Sequence, residues 1–136
     1  MTSLNDKANN LGRDHAADAI RRVVSIFCQR CASAQDALAI DDWEKFDEMF
    51  QLQRVAWLNL NALVDKFESV FGLSSCKSEV RFWLQPCKSA SDSLRAEIAA
   101  KLAKVEAEGR AGARLKRHLS AFQAGSGRTE NFLKGA

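Results

Sequence analysis

Apolar residues return every three or four positions through most of this chain, and little in it favours a strand. Ala16, Ala17, Ile20, Val23, Val24, Phe27, Cys28, Cys31, Ala34 and Leu38 fall on one stripe of a helix. Composition agrees with the pattern. Alanine occurs 21 times, Val, Ile and Thr together only 13 times, and proline once, at Pro86. Alanine and straight-chain residues favour helix, and strands need the β-branched residues that are scarce here. The 136 residues suffice for one domain with one modest core. The expected fold is all-α: an elongated antiparallel helical hairpin extended to a three- or four-helix bundle.

The first helix is expected over about 14–38, after a polar, fraying start at 1–13. A break follows at Ala39-Ile40. Asp41 and Asp42 can then cap a second helix by accepting backbone N–H bonds, with Glu44 three after Asp41 as an approximate capping box. This second helix runs to about Phe71. Trp43, Phe46, Phe50, Trp57, Leu60, Val64, Phe67 and Phe71 step along one face, too broad for a two-helix seam. Gly72 suits a helix C-terminus. Ser74 and Ser75 offer caps for a short third helix over 76–85, which Pro86 should stop. A last long helix follows, starting near Ser89 or Ser91 and reaching Phe122. Gly109 and Gly112 interrupt its middle at about 1 kcal/mol each against alanine. Residues 124–136 are expected to be flexible.

Charge is uneven. Residues 1–72 hold 8 Lys/Arg and 11 Asp/Glu, whereas residues 73–136 hold 12 and 6. The densest basic group, Arg110, Arg114, Lys116 and Arg117, is short and has no aromatic stacking platform, which argues against nucleic acid. No stretch approaches the roughly 20 apolar residues of a membrane span, and the polar first 13 residues do not read as a secretory signal. The expected location is the cytoplasm, with Cys28, Cys31, Cys76 and Cys87 as reduced thiols.

Few residues suggest chemistry. Cys28 and Cys31 have the spacing of a metal or redox pair, but they sit mid-helix on the apolar stripe and read as small core residues. His15 and His118 stand far apart, each without a second candidate ligand on its helix. No nucleophile–base–orienter set and no Gly-rich phosphate loop appears. The expectation is no enzymatic activity, no cofactor and no metal. The aromatic load, 3 Trp and 8 Phe, exceeds what a thin hairpin can cover. The surplus suggests a groove for a partner's amphipathic helix, or a homodimer interface.

A family resemblance enters at Asp42-Trp43-Glu44-Lys45-Phe46, leading to Gln53-Arg54 and a further apolar run from Val55 to Leu63. Preceded by an amphipathic helix and a short break, this stretch resembles the flagellar type III export chaperones of the FliT and FlgN type. Leu115-Lys116-Arg117-His118-Leu119-Ser120-Ala121-Phe122, with the short aromatic end at Phe132, is similar to the C-terminal part of that family. This chain has no tyrosine, which such an end often carries. The resemblance implies a cytoplasmic, non-enzymatic chaperone for the C-terminal helical region of a filament-cap or hook-associated protein. It also implies contacts with the export apparatus and a flagellar regulator. Leu102, Val105, Leu115, Leu119, Phe122 and Phe132 are the expected partner-binding residues. The alternative is a regulatory helical adaptor whose basic C-terminal helix binds an acidic protein or nucleic acid.

Overall fold

The computed structural model describes residues 4–109 and 112–121, and their side chains except those of 4–10 and 73–76. These residues are helical almost throughout, without strands. α1 spans Leu4–Ala39, α2 spans Trp43–Phe71, α3 spans Leu73–Ala107, and a short α4 covers 113–121. The all-α bundle is as expected. At the standard rise the 36 residues of α1 extend about 54 Å.

Two boundaries differ from the sequence reading. α1 begins at Leu4, ten residues ahead of the expected start. Asn and Gly lower propensity there, but lengthening an existing helix requires no new nucleus. Arg13 also ties its first half down, pairing with Glu79 at 2.9 Å and lying over the Phe67 ring. The larger correction concerns Pro86. It does not stop a helix: α3 runs continuously through it, so the expected third and fourth helices are one element, which ends at Ala107. Pro86 lacks the N–H that would bond to the Phe82 carbonyl. Both residues lie on the solvent side, with Phe82 76% exposed, so water can satisfy that carbonyl.

The connections are short and specific. Asp42 N–H bonds to Ala37 O at 2.9 Å and Asp41 N–H to Leu38 O at 3.2 Å, the paired closure of a Schellman motif. Asp41 occupies the left-handed position, φ 57°, that glycine usually fills, and its carboxylate is held by Lys101. Asp42 alone caps α2, its Oδ1 accepting from Lys45 N–H at 3.2 Å. The third position after this cap is Lys45 rather than Glu44, so no capping box forms. Gly72, φ 88°, closes α2 by bonding to Glu68 O, and α3 starts at the next residue. Ser74 and Ser75 are inside α3, not ahead of it.

α1 is the common partner in the bundle; it packs along both α2 and α3, which meet each other little. Arg30 Nη1 donates to Leu52 O at 2.7 Å and the Phe27 ring meets the Trp57 ring at a tilt, so α1 and α2 are antiparallel. Arg13–Glu79, Gln35–Ser93 and Asp41–Lys101 climb together, so α1 and α3 are parallel. The core joins Ile20, Phe27 and Ala34 of α1, Phe46, Phe50, Leu60 and Phe67 of α2, and Val80, Leu94 and Ile98 of α3. Gln53 is buried among them, and sequence periodicity did not flag it.

Candidate helix-docking face

The end of the bundle formed by the α1–α2 turn is closed by α4. Leaving α3, the chain turns at Gly109 (φ 76°), and Gly112 accepts the first α4 bond from Lys116 N–H at 3.0 Å. The approach is close: a Cβ on Gly112 would overlap Leu102 Cδ1. Leu115 then enters the core at 2% exposure, while Leu119 and Ala121 pack on its edge.

α4 rests on the first turns of α2. The His118 ring lies 5.0 Å from Phe46, edge-on, and 4.3 Å from Phe50, centroid to centroid. Its Nε2 meets Asp47 Oδ1 at 2.8 Å, and Arg114 Nε approaches the other Asp47 oxygen at 3.5 Å. Lys116 reaches back to Glu106 of α3 at 3.2 Å. One helix side therefore carries an apolar anchor, an aromatic-faced imidazole and two charge contacts. This is how an amphipathic segment seats in a groove.

The expected partner-binding residues divide. Leu102 and Leu119 are half-buried beside this face. Val105, at 3% exposure, and Leu115 are core residues here rather than open contacts. Phe122 and Phe132 lie outside the described residues. Asp47, Phe46, Phe50 and His118 complete the face. His118 carried no sequence signal, since its partner Asp47 lies 71 positions away.

The apolar surplus inferred from the sequence is partly real. Trp43, Trp57 and Trp83 pack against the core and are only half-buried. Ile26, Ile40, Val55, Leu58, Val70 and Phe82 remain exposed. Arg21 covers part of the Trp83 ring.

The thiols are less scattered than their spacing suggested. Cys31 of α1 and Cys87 of α3 share the core, and Cys28 packs at its edge. Burial, then the neighbouring Cys28, pushes the Cys31 thiol up to about 12. Burial raises Cys28 and Cys87 as well, and at Cys87 the neighbouring Cys28 and Cys31 raise it further. The Cys76 side chain lies outside the described residues. Among the described residues no group of three His, Cys, Asp or Glu is placed to hold a metal ion. Nor is any helix among them long and apolar enough to cross a membrane.

In comparisons with known proteins, no family model matches the chain, and neither a curated protein nor a solved structure matches it.

Proposed function

We propose that this chain is a non-enzymatic, cytoplasmic chaperone of the flagellar export type. It holds an amphipathic helix from the C-terminal region of a filament-cap or hook-associated protein until secretion. The observation that supports this most is the seating of α4, a short amphipathic helix already accepted by the Phe46–Phe50 face. In this reading the client helix takes the place of residues 113–121. Leu102 and Val105 then become its contacts, and Leu115 and Leu119 are what it displaces. Apolar burial supplies most of the affinity, and Asp47 fixes the register through a basic or imidazole side chain.

The test is capture from lysate of the source cells on the immobilised full-length chain. An exported flagellar protein should be retained, and its retention should change little between low and moderate salt. Recovery of no secreted helical protein refutes the proposal. Retention that falls steeply with salt points instead to the adaptor reading, with an acidic protein or nucleic acid as partner. That reading has less support, because Arg114 and Lys116 are engaged by Asp47 and Glu106.

A further inference from the structure

The seat of α4 has an electrical sign as well as an apolar floor. Residues 42–50 carry four carboxylates, Asp42, Glu44, Asp47 and Glu48, against Lys45 alone. α4 is the reverse: residues 113–121 contain Arg114, Lys116, Arg117 and His118 and no carboxylate. The contacts follow the same division. Asp47 meets two of these side chains, Nε2 of His118 at 2.8 Å through Oδ1 and Nε of Arg114 at 3.5 Å through Oδ2. On the α3 side Glu106 meets Lys116 at 3.2 Å. The apolar part of the fit comes from Leu115, which is buried, and from Leu119, which packs on the edge of the core.

We propose that this seat selects its partner by charge as well as by shape. The occupant is a cationic amphipathic helix of another protein, with two apolar residues four positions apart and a basic residue or histidine directly before each. The inference rests on reading the α4 seat as the client site, and adds the client's chemistry. The spacing is that of Leu115 and Leu119, which share a helix face one turn apart, with Arg114 and His118 before them. One Asp47 oxygen serves each of those two positions, so a single carboxylate reads both and fixes the register of the incoming helix. A helix with carboxylates there brings like charge against Asp47. The pairs are partly exposed and add little to affinity, so their effect is discrimination between partners. Acidic helices and nucleic acid are refused by the same rule.

Two alanine-rich peptides of about 20 residues, long enough to form helix in water, are the probes. Both carry leucine at two positions four apart; one has arginine before each leucine, the other glutamate. Each is titrated by fluorescence anisotropy against the full-length protein, wild type and D47K. α4 competes with both peptides alike, so the ratio of their affinities within one protein is independent of it. The wild type should prefer the arginine peptide by on the order of tenfold, and D47K should abolish or reverse the preference. Should D47K fail to fold, D47N decides, and there the ratio should shrink about threefold or more. Bound arginine peptide should slow hydrogen exchange at residues 43–50 and 102–106. Equal affinity for the two peptides, a ratio unchanged by either substitution, or protection elsewhere overturns the proposal. So does an arginine peptide that binds neither the wild type nor L115A. These outcomes are separate from those of the lysate capture. A charge preference without an exported flagellar client leaves the rule standing and refutes the flagellar identity; an exported client with no charge preference does the opposite.

Discussion

Replacing Leu115 by alanine tests the role of α4 directly. α4 has nine residues, 113–121, and a helix that short does not persist alone in water. Its order therefore rests on docking. Leu115 supplies the one fully buried side chain of the segment; Leu119 is half-buried. The Asp47 pair with His118 is partly exposed, with 37% of the Asp47 side chain open to water, so it adds about 1 kcal/mol or less. A buried leucine cut to alanine loses about 2–5 kcal/mol. Even the lower figure is about a thirtyfold shift toward the undocked segment. Hydrogen–deuterium exchange resolved by peptide is the assay. Amides of 113–121 should exchange at least about thirtyfold faster in L115A, while α1 and the middle of α2 keep their rates. If α4 is the segment that a client displaces, L115A should also bind an amphipathic client helix more tightly. Unchanged exchange in 113–121, or loss of protection spread evenly over all helices, refutes the reasoning.

Pro86→Ala should stabilise the protein by up to about 3 kcal/mol, because it restores a backbone bond inside α3 at an exposed site; urea unfolding measures it. Asp42→Ala should cost about 1 kcal/mol through loss of the α2 cap, read by the same melt, with Asp42→Asn close to wild type. Stability should fall in alkali. The buried thiols of Cys31 and Cys87 and the half-buried thiol of Cys28 keep their protons in the folded chain to a higher pH than in the unfolded chain. Their contribution is therefore complete below about pH 9 and is lost as pH rises toward about 12, where Cys31 ionises. Melts between pH 8 and pH 11 check this, and C31A should flatten the decline.

Much of the bundle was legible in the sequence, since α1 and α2 follow their apolar periodicity almost residue by residue. Phe27, Cys31, Phe46, Phe50, Leu60 and Phe67 stand on the predicted stripes and are buried. Where the reading failed, a local rule was outweighed by surroundings it could not see. Pro86 is a helix breaker by rule, but on an exposed face its cost is outweighed by the summed burial along α3, Leu84 and Cys87 on either side included. Sequence spacing offers Asp41 as a cap, but its partner Lys101 lies 60 residues on, and it takes a glycine-like turn instead. The docking face depends on such distant meetings throughout. Leu115 is expected as a partner contact, and the fold places it in its own core, beside a turn at Gly109 and Gly112 that periodicity does not encode.

The joint at Gly72 imposes a rule on how this chain can vary. A single residue serves as the end of α2 and the threshold of α3, with no slack on either side. Inserting or deleting one residue there would turn the whole of α3 by about 100° and shift it about 1.5 Å along its axis. Val80, Leu84, Leu94 and Ile98 would leave the core together. After Gly109 the same slip would turn only α4, whose one buried side chain is Leu115. A change of length there therefore disturbs far less of the core than one at the α2–α3 corner.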